Sequence, residues 1–503
     1  MTTTTPETRA KTEYRNWIGG RWVPAASGRT FQDLNPARHD EIVGVFPQSG
    51  ADDVDRAVEA AAKAFDSWRL TPAPRRGELL LQIGLRLRER KEEIARLMTR
   101  EMGKILTETR GDVQEGIDTA FYMSGEGRRL YGDTTPSELP NKLALSVRQP
   151  IGVCGLITPW NFPLAIPTWK LFPALLCGNT VVLKPASDTP ASVAELGRVI
   201  EECGVPPGVV NIVHGSGKEA GTPLVEHPGV RVISFTGSTE VGKMIGGACG
   251  QRLKRCSLEL GGKNAQIVMQ DGDLDLALEG ALWGAFGTAG QRCTATSRLI
   301  LDRPIAQRFT EMLVERARKL RLGDGLDESV EVGPVINEAA RKRIHSEVEV
   351  GQREGARLLT GGEPATEGAL ARGWFYRPTI FGGVTPDMHI AQEEIFGPVL
   401  AILVVDGLEE AIQVLNGTRY GLSSSIYTRD VNAAMRAIRD LEAGITYVNG
   451  PTIGAEVHLP FGGVKETGNG HREASYTVLD VFSEWKAVYV DYSGKLQRAQ
   501  IDR

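Results

Sequence analysis

No CxxC pair, no apolar run near the ~18 residues that cross a bilayer and no surplus of basic charge occurs in this 503-residue chain. Its six cysteines (154, 177, 203, 249, 256 and 293) follow no pairing rhythm, so a disulfide framework is excluded and the thiols read as reduced, as in a cytoplasmic protein. The first thirteen residues are polar and rich in threonine, lack the apolar core of a secretion signal, and are expected to lack regular structure. With 58 Lys and Arg against 63 Asp and Glu, a net charge of -5, there is no basic stripe to neutralise phosphates; neither nucleic acid nor a membrane is an expected partner. The seven histidines include none in a recognisable pairing motif with a cysteine, which argues against a thiol hydrolase.

What is present is ordinary globular composition, 41% hydrophobic and 24% charged, in a chain longer than one core can fill. Residues 16–23 read as a short hairpin turning at Gly19 and Gly20. Val54, Val58, Ala61, Phe65 and Trp68 recur at helical spacing and give a helix over 52–68. A second helix is expected over 76–101, its mixed charges forming a solvated face. From 151 to 264 short apolar strands (151–158, 180–183, 209–213, 232–235) alternate with helices near 164–176, 190–203, 217–226 and 239–248. A second series runs to 460, with strands near 298–301, 400–404 and 445–448 and helices near 273–286, 305–319 and 336–353. Such alternation predicts an α/β protein with parallel sheets covered on both faces, ligands binding at the carboxyl ends of the strands. The aromatic and β-branched stretch 482–492 is a strand with no hairpin mate, expected to join 143–148 in a projecting flap for subunit contact.

The chain is organised around residues 284–296, where Gly284, Gly287 and Gly290 lead up to Cys293 and allow close approach of backbone or ligand. Cys293 is either a nucleophile or an inert core thiol. Gly237, Ser238 and Gly242 stand between a strand and a helix, where free N–H groups can hold a diphosphate. The run nearly imitates a GxxxxGK loop, but Met244 stands where that loop needs a Ser or Thr for Mg²⁺. Lys184, at the end of another strand, is a solvated side chain or a donor to ribose hydroxyls or phosphate. Asn161, between Pro159 and Pro163, is an Asx-turn residue or an oxyanion donor. Glu259, between Leu258 and Leu260, is a strand carboxylate or, with its pKa raised by apolar neighbours, a general base.

Taken in order, residues 159–163, Lys184 with Pro185, and residues 235–242, 258–262, 290–293 and 394–398 resemble the aldehyde dehydrogenase superfamily, with its spacings, over about 17–492. The resemblance implies a Rossmann-type NAD(P)-binding domain (14–129 and 150–262), an α/β catalytic domain (263–470), and a small β oligomerisation flap with a C-terminal tail (130–149 and 478–503) that builds a homodimer or homotetramer. It implies a small aldehyde as substrate, NAD or NADP as cofactor, and no metal. By matching positions it implies Cys293 as nucleophile, Glu259 as general base, and Asn161 with the Cys293 N–H as oxyanion hole. Trp160, Lys184, Ser187, Gly237, Ser238, Gly242, Leu260, Glu394 and Phe396 are implied around the cofactor, and Phe162, Trp169, Arg292 and Phe461 around the substrate. Many NAD-preferring members carry Glu where this chain has Ser187, so NADP is expected to be accepted too.

Residues 450–452, 454–463 and 491–500 are similar to the 2-oxoglutarate semialdehyde (2,5-dioxopentanoate) dehydrogenases, which implies an acidic substrate. Arg292 either offers its guanidinium to the far carboxylate of that substrate or makes a structural salt bridge. The alternatives are another aldehyde (succinic or glutaric semialdehyde, or broad aliphatic and aromatic aldehydes), a CoA-acylating enzyme, and a non-catalytic member. Glu259 speaks against the CoA route, and the joint presence of Cys293, Glu259 and Asn161 against the last.

Overall fold

Two seven-stranded sheets and a three-stranded one carry the fold. The computed structural model describes residues 12–501, so the amino-terminal segment expected to lack structure lies, up to residue 11, outside the described residues. In the first large sheet the strands run Arg255–Glu259, Val230–Thr236, Val153–Ile157, Thr180–Lys184 and Val210–Ile212, all parallel; the hairpin Asn16–Ile18 and Arg21–Val23 extends it antiparallel, Trp17 facing Trp22. Val153–Ile157 and Thr180–Lys184 are buried at every position, which is why they read as unbroken apolar runs rather than alternating ones. Helices Ala51–Trp68, Ala165–Leu176, Pro190–Glu202 and Thr239–Gln251 pack on this sheet and its neighbours, close to their expected bounds.

The second large sheet orders Arg357–Thr360, Thr379–Gly382, Val399–Val405, Arg298–Asp302, Ala265–Val268, Ser423–Tyr427 and Ile445–Val448, parallel except for its first pair. Ser483–Asp491 finds its mate in Lys142–Pro150, in continuous register from Ser483 opposite Pro150 to Asp491 opposite Lys142, with Thr134–Pro136 outside. Among the described residues no helix is long and apolar enough to cross a membrane, and no group of three or more His, Cys, Asp or Glu could hold a metal.

Three differences from the sequence pattern have physical causes. The helix expected over 76–101 is two, Ala73–Glu89 and Lys91–Met102, broken at Arg90 (φ -96, ψ 8) without a local Gly or Pro; its guanidinium is held by Glu93 and by Glu195 of another helix. The helix Leu106–Glu126 has no clean apolar stripe, because Glu108, Asp112 and Glu126 lie on its buried side. Ser423–Tyr427 is a central strand despite three serines, whose hydroxyls donate to the carbonyls of Thr452, Ile445 and Gly450.

The chain after the second sheet returns to the first. The Leu260 N–H donates to the Thr467 carbonyl at 2.7 Å, and Glu259 bridges Gly468, so the end of the Arg255–Glu259 strand lies against the segment that follows the second sheet.

Candidate active site

Cys293 follows the helix Leu274–Phe286 and a tight turn, Gly287–Gly290. The glycines here serve protein packing rather than ligand approach. A Cβ on Gly284 would fall 2.1 Å from the Thr296 hydroxyl, and one on Gly290, whose φ is +69, would fall 2.1 Å from the Gly397 carbonyl oxygen. Between them Thr288 and Ala289 adopt left-handed φ values of 53 and 51, a conformation costing about 1–3 kcal/mol each in a residue with a side chain. Glu108 holds the turn: its Oε1 accepts from the Thr288 N–H (2.7 Å), the Thr288 hydroxyl (3.1 Å) and Arg292 Nη2 (2.9 Å). Beyond the thiol, Asn264 Nδ2 donates to the Cys293 and Ala295 carbonyls at 2.7 and 3.0 Å, and the Thr452 hydroxyl donates to the Thr294 carbonyl at 2.7 Å.

Two cavities meet at Cys293, sharing Ile166, Thr236 and Leu260 with it. One, about 280 Å³, is walled by Phe162, Trp169 and Phe461 and includes Glu259 and Arg292. Trp169 and Phe461 meet edge to face at 4.8 Å. The other, about 460 Å³, is lined by Trp160, Asn161, Gly237, Ser238, Glu394 and Phe396. Phe396 stands edge-on to Trp160 at 5.4 Å, in a left-handed turn with φ 56. Glu394 accepts from the Gly262 N–H at 3.0 Å, and its carboxylate lies so close to Gly261 that a Cβ there would fall 2.2 Å from Oε2. Arg343 and Glu240 also line this cleft, and no sequence motif singled them out.

Three expected cofactor residues lie outside both linings. Gly242 is buried in the helix Thr239–Gln251, where a Cβ would fall 2.2 Å from Leu260, so its absence of a side chain lets the helix pack on the strand. Lys184 is buried at the end of its strand, donating to the Pro185 carbonyl at 2.7 Å, and Ser187 donates to the Gly215 carbonyl at 3.0 Å. Asp188, beside them, accepts from Asn337 Nδ2 at 2.8 Å.

The surroundings of the meeting point disfavour ionisation of the groups gathered there. Burial, then the charges of Glu394 and Glu259, push the Cys293 thiol up to about 12, although backbone N–H groups act the other way. Backbone dipoles therefore do not ionise this thiol in the resting protein. Glu259 is raised well above the usual carboxylate range, first by burial and then by Glu473. Neither Glu259 oxygen has a well-formed hydrogen bond, the Gly463 N–H approaching only loosely. Gly462, at φ +148, is obligatory here, since a Cβ would lie 2.6 Å from Glu259 Oε1. Behind it Lys170, fully buried, donates to Glu473 and, at 3.0 Å, to the Ser234 hydroxyl. Asn161 Nδ2 donates to the Gln291 carbonyl at 3.1 Å, which ties its amide to the nucleophile loop and leaves its second N–H unused.

Arg292 resolves both ways. Nε donates to the Thr288 hydroxyl at 2.8 Å and Nη2 to Glu108, so it is a structural ion pair, yet the side chain lines the cavity beside Phe162 and Trp283 and no acceptor among the described residues meets Nη1. Residues 491–500 lie against the flap, Gln497 donating to the Pro140 carbonyl at 2.8 Å, and line neither cavity.

The larger cleft fits a dinucleotide. It opens on the first turn of the helix Thr239–Gln251, whose leading N–H groups have no partner inside the helix, and the buried Thr236 and Thr239 hydroxyls lack partners. The sequence profile of the aldehyde dehydrogenase family matches residues 22–488. The chain is 44% identical to an alpha-ketoglutaric semialdehyde dehydrogenase of Bacillus subtilis, over 95% of this chain and 98% of the relative. It is 42% identical to a 2,5-dioxopentanoate dehydrogenase of Saccharolobus solfataricus, over 94% and 98%. A betaine aldehyde dehydrogenase of Staphylococcus aureus, solved in complex with NAD+, superposes with a TM-score of 0.94 at 34% identity, covering 96% of this chain and 95% of that one. Agreement of sequence and fold over nearly the whole length means that the chain belongs to the aldehyde dehydrogenase family.

Proposed function

We propose that the protein oxidises 2-oxoglutarate semialdehyde to 2-oxoglutarate with NAD or NADP, through a covalent intermediate on Cys293. The observation that carries this reading is the meeting of two cavities at one thiol, with Glu259 on the substrate side and Asn161 on the cofactor side. Cys293 gives its proton to solvent, and the thiolate sulfur adds to the aldehyde carbon. The alkoxide that forms is met by the free Asn161 N–H and the Cys293 N–H. When bound, an oxidised nicotinamide supplies the hydride acceptor that turns this hemithioacetal into a thioester. Glu259, deprotonated, takes a proton from water; the hydroxide attacks the thioester carbon, the C–S bond breaks, and Glu259 returns that proton to the leaving sulfur, so the carboxylic acid departs with the Cys293 thiol restored. Trp160, Gly237, Ser238, Leu260, Glu394 and Phe396 would hold the dinucleotide in the cleft they line, and Lys184 and Ser187 its adenosine ribose. Gly242 acts by letting their helix pack closely. The division into a cofactor domain (14–129 and 150–262), a catalytic domain (263–470) and a flap supports the same reading, the exposed Trp485, Tyr489 and Val490 of the flap being the surface for a homodimer or homotetramer.

An acidic substrate follows from the unpaired Nη1 of Arg292 and from the relatives named above. Initial rates should show 2-oxoglutarate, glutaric and succinic semialdehydes exceeding uncharged aldehydes of equal length by about tenfold in kcat/KM, the worth of one charge-assisted hydrogen bond. Propanal or benzaldehyde performing as well as the semialdehydes would refute this part.

Cofactor choice is a second measurement. Ser187 leaves a 2′-phosphate unopposed at its own position, whereas Asp188 offsets part of the charge of Lys184, whose pKa burial lowers to about 8. Both cofactors are expected to work, and Ser187→Glu should move the kcat/KM ratio towards NAD+ by on the order of tenfold, a repulsion of about 1.4 kcal/mol. Wild-type enzyme that already rejects NADP+ by about a hundredfold would place selectivity elsewhere.

A further inference from the structure

The helix Leu106–Glu126 lays three carboxyls along the substrate cavity, Glu108, Asp112 and Glu115, on one helical face. Two are answered by cations. Glu108 pairs with Arg292 at 2.9 Å; Asp112 accepts from Lys104 Nζ at 2.9 Å and from the Ala165 N–H at 2.8 Å. Lys104 is fully buried and lies over the Phe162 ring at 3.4 Å, so it is committed to that wall. The Glu115 carboxyl has no hydrogen bond or ion pair among the described residues, the backbone carbonyl alone accepting from the Thr119 hydroxyl at 2.7 Å, yet the side chain lines the cavity. Space is open beside it, for a Cβ on Gly111 or on Gly454 would touch nothing within 4 Å, and both glycines line the same cavity. An acidic aldehyde with its carbonyl at Cys293 and Glu259 would therefore bring its far carboxylate into the part of the cavity lined by this helix, where Glu115 is the acid left without a cation among the described residues. Two carboxylates brought together at this half-buried position repel; a carboxylate and a carboxylic acid form a strong hydrogen bond.

We infer that Glu115 is a specificity-determining residue that meets the far carboxylate of the substrate as a neutral, hydrogen-bond-donating acid, so that ionising Glu115 excludes dicarboxylic semialdehydes while uncharged aldehydes still enter. This rests on the acidic-substrate reading above. The charged groups facing Glu115 are Asp112 and Asp118 on its own helix, Lys104 before that helix, Arg292 on the nucleophile loop and Tyr447 on the strand Ile445–Val448; Glu259 and Glu473 line the same cavity further off. Burial and then Asp112 push the Glu115 carboxyl up to about 8, against Lys104 and Arg292. Tyr447, raised to about 12 by burial, stays neutral over the working range.

The test is the ratio of kcat/KM for glutaric semialdehyde to that for pentanal, at saturating cofactor, from pH 6.5 to 9.5. Titration of Cys293 and Glu259 affects both substrates and cancels in the ratio. In wild type the ratio should fall roughly tenfold across this range, and in Glu115→Gln, which keeps a neutral donor, it should stay within about twofold. A ratio that is flat in wild type, or that falls equally in Glu115→Gln, overturns the inference. Failure of the acidic-substrate reading looks different: the ratio would be near one at pH 6.5 in both proteins. If under those conditions the wild-type ratio still fell with pH and the variant's did not, Glu115 would stand as the group that excludes anions.

Discussion

Cys293→Ala is expected to reduce aldehyde oxidation by on the order of 10⁶, to below detection, the scale of loss when the nucleophile of an acyl-transfer site is removed. The geometry leaves no substitute. The sulfur is the one group shared by both cavities that can form a covalent bond with a carbonyl, and the other shared residues, Ile166, Thr236 and Leu260, offer only apolar surface and one hydroxyl. Binding of NAD(P)H, followed by its fluorescence, should persist, because the cleft contacts come from Trp160, Gly237, Ser238, Glu394 and Phe396. NAD(P)H formation at more than a trace in the alanine protein would end the covalent mechanism.

For Glu259→Gln the expected result is a split between two phases. Steady-state turnover should drop by about 10²–10⁴, the usual worth of a positioned base, while the first turnover still releases NAD(P)H and leaves acyl groups on Cys293. The sign of the pH dependence follows from the raised pKa. Glu259 is a base only when deprotonated, and burial beside Glu473 keeps its proton on to a pH above the ordinary carboxylate range, so wild-type turnover should climb as pH rises beyond that range, and the glutamine protein should lose that climb. The thiol complicates the first phase. With Cys293 raised to about 12, its proton needs an acceptor too, and if Glu259 is the sole acceptor the burst will slow along with the steady state. Mass spectrometry decides: absence of an adduct on Cys293 while turnover has collapsed would refute the assignment of Glu259 to the water step alone.

Much of this was legible in residue order. Strand and helix alternation along 151–264 marks a parallel sheet because those strands are buried on both faces and are therefore mostly apolar, Val153–Ile157 entirely so. That Cys293, Glu259, Asn161 and the Gly237 turn gather around two adjoining cavities was foreshadowed because each sits in a short motif with a local backbone requirement. What escapes such reading is held by contacts between distant segments. Glu108 and Glu115 belong to a helix whose buried face carries acids and so lacks the periodicity that announces a helix. Lys170 and Glu473 are 303 positions apart and mean nothing separately. The break at Arg90 depends on Glu195, 105 positions away. Gly242 and Gly290 look like ligand-binding glycines, but both turn out to let one protein segment lie against another, a distinction that only the neighbouring Leu260 and Gly397 reveal.

The protonated state of the resting thiol also bears on chemical survival. Peroxides and alkylating reagents attack thiolates far faster than thiols, and repeated oxidation of a cysteine ends in acids that cannot be reduced back. A sulfur kept neutral by burial and by the nearby carboxylates of Glu394 and Glu259 gives such reagents little to react with while the cavities are empty. Burial first, and the acidic neighbours after it, thus disfavour the form of Cys293 on which such reagents act.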